Sequence, residues 1–312
     1  MSVEPLRIAV IGVGHLGRHH ARILAAMPDV RLAGVVDTIP ERAAEIAAST
    51  GSVAFTDHRD LFDRVDAVVV AVPTELHVGI AVPFLQQGTP VLVEKPMSRT
   101  LEDADRMIAA AEAGRTVLAV GHTERHNPAV GIALRLVTAP RFIEVHRLSA
   151  FPDRSLDIDV VFDLMIHDLD VILAIVGPDV VSIEAVGVPV LTPKYDIANV
   201  RLRFASGCIA NITASRISKD RVRKIRFFQR DAYLSVDYAS QEVEGYRLVR
   251  KEPRPGIEGG AIPVEREEPL ARELADFVKA VRAGGSPLVD GAAGRRALLL
   301  ASQIAERMET VG

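Results

Sequence analysis

The chain has 312 residues, 48% of them hydrophobic, enough for one large core or two smaller ones, and a length above ~250 residues favours two. Its formal net charge of −4 and scattered basic side chains exclude the electrostatic footprint of a nucleic-acid binder. One cysteine, Cys208 in the apolar RFASGCIAN, excludes an internal disulfide and reads as a small buried filler; with no signal-peptide pattern and no run near ~18 apolar residues, a soluble, cytoplasmic protein without a membrane partner is expected.

From Arg7 to Gly121 short β-rich runs alternate with helical patterns: RIAVIG, then His15 to Met27; RLAGVVD, then Pro40 to Ser49; DAVVVAV, then Glu75 to Gln87; PVLVE, then Thr100 to Ala113; and TVLAVG. Continuously apolar strands such as AVVVAV suit a parallel sheet covered on both faces, so residues 1–121 are expected to form an α/β, doubly wound Rossmann domain. After Gly121 the pattern predicts a helix near Pro128 to Thr138, a strand RFIEVHRLS and one long apolar helix from about Asp159 to Val176. VVSIEAVGV, IANVRLRFA, CIANITASRI, RKIRFFQ, AYLSVDY and VEGYRLVRK follow as strands separated by turn residues such as Ser206-Gly207. Residues 122–312 are thus expected to form an α+β domain with a large, mostly antiparallel sheet. EPRPGIEGG reads as a loop, and helices near Leu270 to Ala283 and Gly291 to Met308 close the chain, the last free to pack back on the first domain.

Gly12-Val13-Gly14-His15-Leu16-Gly17 follows a strand directly and opens a helical pattern, and Asp37 ends the next strand, where a ribose-binding acid is expected. Gly12 permits the tight turn, Gly14 lets backbone approach a pyrophosphate, and Gly17 allows close packing of helix on strand, while the helix N-terminus offers amide donors to phosphate. A glycine-rich turn without a ligand is the alternative. Asp37 would accept both ribose hydroxyls and repel a 2′-phosphate, which favours NAD over NADP; Arg42, in DTIPER, works the other way.

Lys95 ends the fifth strand, at the sheet edge where ligands bind in such folds. Position alone leaves two readings of equal standing, a catalytic lysine and a surface lysine paired with Glu94. In VVFDLMIHDLDVILAIVG, residues Asp159, Asp163, His167 and Asp170 fall at i, i+4, i+8 and i+11, one stripe on an apolar helix, whereas Asp168 faces elsewhere and suits a structural hydrogen bond. A catalytic face, a core histidine satisfied by Asp163 and a metal pair lacking a third ligand all remain open. The pairs His19-His20 and His122/His126 have no ligand-like neighbours in sequence.

The glycine loop, VPTELH at 72–77, Glu94-Lys95-Pro96 and the Asp163/His167 pair in DLMIHDLD together resemble the Gfo/Idh/MocA family of NAD(P)-dependent sugar and cyclitol oxidoreductases, over nearly the whole chain. The resemblance implies that Lys95, Asp163 and His167 surround the substrate hydroxyl beside the nicotinamide, with no metal. It adds Pro73, Thr74, His77 and Glu94 to the cofactor set of Gly12, Gly14, His15, Leu16, Gly17, Asp37 and Lys95, and implies that Pro96 positions the lysine backbone through a cis bond. His167 is then the general base, Lys95 the alkoxide stabiliser or rival base, and Asp163 a ligand to a neighbouring hydroxyl or to the imidazole.

Where many family members place glycines before this helix, the chain has SLDIDVVFD, which resembles a branch acting on UDP-sugars, oxidising UDP-N-acetylglucosamine at C3. GHTERHNPAV and ASRISKDRVRKIRFFQRDAYLSVDY resemble that branch too, implying Arg125 and Asn127 at the substrate. Arg216, Lys219, Arg221, Arg223, Lys224, Arg226 and Arg230 form the chain's one basic cluster; Arg216 and Lys219 are the favoured diphosphate ligands, against a solvated or interface face. The expected function is NAD-dependent oxidation of a UDP-linked N-acetylhexosamine, with an inositol or free aldose dehydrogenase, or a non-catalytic NAD sensor, as alternatives. The uncovered face of so large a sheet suits a homodimer or homotetramer.

Overall fold

A computed structural model of the protein describes residues 4–151, 158–250 and 254–309. Its chain divides into two compact units, one of Met1–His122 with Leu270–Arg295 and one of Thr123–Pro269 with Arg296–Gly312. The two-segment division read from sequence is amended accordingly, because residues 270–295 return to the first unit.

The first unit alternates β1 (Leu6–Ile11), α1 (Gly17–Ala26), β2 (Val30–Val36), α2 (Pro40–Thr50), β3 (Val53–Phe55), β4 (Ala67–Val70), α3 (His77–Gln86), β5 (Val91–Glu94), α4 (Leu101–Gly114) and β6 (Leu118–Gly121). The strands form one six-stranded sheet, ordered β3-β2-β1-β4-β5-β6, with every pair parallel. Ala67 to Val70 and Val91 to Val93 are fully buried, as central strands covered on both faces require. The order reverses between β1 and β4, which opens the crevice at the strands' C-terminal ends where such sheets bind ligands.

The second unit begins with α5 (Pro128–Leu136) and β7 (Pro140–Leu148), continues through α6 (Ile166–Val176), and lays down β8 (Val180–Val188), β9 (Ile197–Phe204), β10 (Ile209–Ser215), β11 (Val222–Gln229), β12 (Ala232–Asp237), β13 (Glu242–Val249) and β14 (Gly256–Ile262). Helices α7 (Pro269–Ala283) and α8 (Gly291–Glu309) end the chain; α7 belongs to the first unit from Leu270 on, and α8 joins the second unit from Arg296. The eight strands run in the order β14-β13-β12-β11-β7-β10-β9-β8, antiparallel except for β10 with β7. Alternation sets one face inward: Ile143 and Val145, Val200 and Leu202, Ile225 and Phe227 pack with Leu169, Ile172, Leu300 and Ile304 in one core. Cys208 is part of that core, and burial pushes its thiol up to about 11, as suits a packing residue. Among the described residues no helix is long and apolar enough to cross a membrane.

Two sequence expectations are overturned here. EPRPGIEGG is not wholly a loop: Gly256 to Gly260 enter edge strand β14, where Gly259 has φ 152° and an added Cβ would lie 2.0 Å from Gly245 O. Glycine there serves close backbone approach rather than a turn. The helix expected from Asp159 to Val176 is also not uniform, because Val161–Met165 form a π-turn in which the Ile166 N–H donates to Val161 O, five residues back. The regular 100° wheel therefore misplaces Asp159, whose carboxylate accepts the Tyr195 N–H at 3.0 Å.

Arg216 holds this helix entrance rather than a diphosphate. Its side chain is 1% exposed, Nε donates to Asp196 Oδ1 at 2.8 Å, Nη1 to Ile158 O at 2.7 Å and Nη2 to Thr192 Oγ1 at 3.0 Å. Asp196 Oδ2 in turn accepts the N–H groups of Val190, Leu191 and Thr192 at 2.6–2.9 Å, closing the β8–β9 loop. Buried charges need such partners. Arg216→Met, which leaves Asp196 buried without its counter-charge, is expected to lower unfolding free energy by about 3–5 kcal/mol in urea titrations. A variant as stable as the wild type would show that the pair does not hold the fold.

Candidate active site

On the first unit, the glycine loop has the geometry its sequence implies. Gly12 has φ 86°, and a Cβ on it would lie 2.7 Å from Ala71 O; a Cβ on Gly17 would lie 1.7 Å from Gly12 O. Neither position tolerates a side chain. Gly14 is different, since nothing lies within 4 Å of its added Cβ, so a pyrophosphate has open backbone to approach just ahead of α1. His15 and Leu16 are exposed beside it.

Asp37, 7% exposed after β2, accepts Val13 N–H at 3.2 Å and Ile39 N–H at 3.0 Å, which ties the acid to the glycine loop. Arg42 Nη1 approaches both carboxylate oxygens at 3.2 and 3.3 Å from a half-exposed side chain. Pro73 is exposed and Thr74 half-buried beyond β4. These residues fit a dinucleotide: an open glycine at a helix start, with an acid at the next strand end.

His77 and Glu94 do not line this opening. His77 is 1% exposed, with Nε2 2.9 Å from Val72 O and Nδ1 3.2 Å from Met97 O; burial lowers its pKa, so the neutral ring ties the β4 loop to the β5 loop. Glu94 is 5% exposed and turns to His20, whose Nε2 lies 2.7 Å from Oε1. Burial opposes ionisation of Glu94, but the His20 hydrogen bond and the nearby Lys95 charge outweigh it and hold the carboxyl below its ordinary value. Both brace the loops after β4 and β5 from within. His20 is a buried partner of Glu94 that sequence reasoning missed. The signal was its place on α1 beside the buried Ala21, Ile23 and Leu24, where a polar group requires a partner. Lys95 itself is half-buried, and its bond to Pro96 is cis.

On the second unit, Asp163 lies in the π-turn and His167 one residue into α6, both half-buried among the fully buried Val161, Met165, Ile166 and Leu169. Asp168, as expected, is structural: Arg147 Nε and Nη2 donate to its two oxygens at 2.6 and 3.0 Å, and Arg147 Nη1 reaches Glu124 at 3.2 Å. Arg125 Nη1 donates to Asp170 Oδ1 at 3.3 Å, and Asp170 is 2% exposed. Asn127 is not a substrate ligand in this arrangement. It is 1% exposed, caps α5 by accepting Ala129 N–H at 3.1 Å and donates to Tyr238 O at 3.0 Å. Lys219 is exposed, while Arg226 and Lys224 pair with Glu144 and Asp237 of neighbouring strands at 2.7 and 3.4 Å. Of the stretch SLDIDVVFD, residues 155–157 lie outside the described residues.

A Rossmann sheet with an open glycine loop and a strand-end lysine, joined in one chain to an α+β unit bearing an Asp-x-x-x-His pair, defines an NAD-binding oxidoreductase. The family model described as "Oxidoreductase family, NAD-binding Rossmann fold" matches residues 6–122, and that of the "GFO/IDH/MocA C-terminal domain" matches residues 101–234. The chain belongs to the Gfo/Idh/MocA oxidoreductases. It is 41% identical over 307 residues, 97% of each chain, to the UDP-N-acetylglucosamine 3-dehydrogenase of Acidithiobacillus ferrooxidans. A solved structure of that enzyme superimposes with a TM-score of 0.92, 40% identity and 99% coverage of both chains. The myo-inositol 2-dehydrogenase of Thermotoga maritima is 28% identical over 323 residues, 95% of this chain and 94% of its own.

Burial pushes the Asp170 carboxyl up to about 7, against the pull of Arg125 and Arg296. In the unfolded chain the group titrates near ~3.9, so between these values the folded state holds the extra proton and stability falls as pH rises. Asp170→Asn removes that penalty. Relative to wild type, the variant is expected to gain on the order of 2 kcal/mol between pH 5 and pH 8, read from urea unfolding at both. Parallel pH profiles for the two proteins would contradict the assignment.

Proposed function

We propose that the protein oxidises a secondary alcohol of a nucleotide-linked N-acetylhexosamine, C3 of UDP-N-acetylglucosamine, using NAD. One observation carries this reading: 41% identity to a dehydrogenase of that substrate extends over 97% of both chains, the second unit included, against 28% for a myo-inositol dehydrogenase. Bound NAD supplies the hydride acceptor. His167 takes the hydroxyl proton as the carbinol hydride leaves, giving the ketone, the general-base role for which an imidazole is suited. The ammonium of Lys95 stabilises the developing alkoxide, and Asp163 orients a neighbouring hydroxyl or the imidazole. Asp37 selects NAD by accepting the ribose hydroxyls and opposing a 2′-phosphate, a preference that Arg42 moderates by pairing with it. Of the two cations proposed for the diphosphate, Lys219 is the one left at the surface.

The test is NADH formation with UDP-N-acetylglucosamine, free N-acetylglucosamine and myo-inositol, repeated with NADP. The UDP-sugar and NAD are expected to be preferred. Lys95→Met and His167→Ala should each lower kcat by about 10²–10⁴ with NAD affinity within a few-fold, Asp37→Ala should narrow the NAD/NADP ratio, and Lys219→Ala should weaken calorimetric binding of UDP. Oxidation of inositol with no binding of UDP would sink the substrate assignment.

The outward face of the large sheet supports self-association. Phe142, Phe228, Tyr233 and Tyr246 form a ladder across β7, β11, β12 and β13, with successive ring centroids 5.6, 5.2 and 6.3 Å apart. A self-complementary aromatic stripe of this kind suits a two-fold interface between copies of the chain. Sedimentation is expected to give a dimer or tetramer that Tyr246→Glu weakens; a monomeric wild type would remove the interface.

A further inference from the structure

The cluster of His20, Glu94 and Glu273 has no part in the proposed proton transfer, yet its three ionisable side chains are all buried together in the first unit. Their exposures are 0%, 5% and 2%, and one ligand-type atom of each lies within 4.8 Å of the others. Two carboxylates and an imidazole so placed resemble a metal cage, but the distances oppose it. Two ligands bound tetrahedrally to one zinc at ~2.0 Å stand about 3.3 Å apart. His20 Nε2 and Glu94 Oε1 are 2.7 Å apart, the separation of a charge-assisted hydrogen bond with a proton between them. With its other oxygen accepting the Lys95 N–H, the Glu94 carboxylate is the acceptor of this pair and Nε2–H the donor.

The second oxygen of Glu94 accepts the Lys95 N–H at 3.2 Å, one peptide before the cis bond to Pro96. Gly121 on β6 makes room for it, because a Cβ there would lie 3.0 Å from Glu94 Oε2. Glu94 therefore spans from a side chain on α1 to the backbone from which Lys95 projects. His20 is the fourth residue of α1, within the turn that follows the glycine loop.

We propose that His20 is a positioning residue for the oxidation: its Nε2–H locks Glu94 in the one arrangement that fixes the Lys95 backbone, and so ties the helix receiving the cofactor's pyrophosphate to the lysine. The inference rests on the role given to Lys95 above. The experiment compares His20→Leu, His20→Asn, His20→Gln and Lys95→Met, measuring kcat and KM with UDP-N-acetylglucosamine and NAD, NADH affinity by fluorescence, and thermal melting. Gln places an N–H where Nε2 stood, whereas Asn is too short to reach Glu94 and Leu has no donor. Leu and Asn are expected to lower kcat by about 10- to 100-fold, the scale of a sub-ångström to 1 Å misplacement, with NADH affinity within two-fold of wild type. Gln should restore kcat to within about five-fold of wild type. If Leu does not fold, the contrast between Asn and Gln carries the same test. Equal kcat for Asn and Gln, or wild-type kcat for Leu, overturns the inference while an inactive Lys95→Met leaves the role of the lysine standing. A fully active Lys95→Met overturns both.

Discussion

A carboxylate taken out of water must be paired or protonated, and the second unit is organised around that requirement. Its central helix is apolar over most of its surface, yet it buries Asp168 and Asp170. Arg147, reaching from β7, takes both oxygens of Asp168, and Arg125, from the short turn before α5, takes Asp170. Each pairing is to a different element, so together they fix the rotation of α6 about its own axis. Once two acids are turned into the protein, Asp163 and His167 are the polar side chains of this helix that stay partly open.

The first unit solves a different problem by different means. Its sheet is buried on both faces and leaves little room for ion pairs, and precision at its ligand edge comes from backbone proximity and from buried imidazoles. Gly17 lets α1 sit against Gly12, and His77 joins the loops after β4 and β5 through two carbonyl contacts. The cofactor edge is thereby a set of loops braced from beneath, leaving Gly14, His15, Leu16 and Pro73 at the surface. Function needs both qualities at once: an exposed backbone and a buried brace beneath it.

What the sequence made legible follows the range of the interactions involved. The roles of Gly12, Gly14 and Gly17 could be read because each depends on a turn of six residues, and Asp37 because strand and helix lengths bring it to the same edge. The position of Lys95 after a strand end could be read from the apolar run before it, and the inward turn of Asp168 from its angle on the helix. The buried partners of Arg216, Asn127 and Glu94 were not legible, for one shared reason. They are Asp196, Tyr238 and His20, at separations of 20, 111 and 74 residues, and no local pattern distinguishes a polar side chain facing a ligand from one facing a distant buried partner. Gly259 misled in the opposite direction, since a residue type that marks turns also permits two strands to approach closely.

The π-turn at Val161–Met165 bears on how the substrate-side helix can vary. One residue more than a regular turn is accommodated there, so the side chains before and after it follow two helical phases rather than one. Deleting a single residue from the turn would restore an ordinary α-helix and leave the residues beyond it facing as they do now, Asp168 still toward Arg147. The regular part of α6 has no such slack, and one residue gained or lost there would rotate the side chains beyond it by about 100°. The π-turn is therefore the place where this helix can change length by one residue and stay in phase with the sheet.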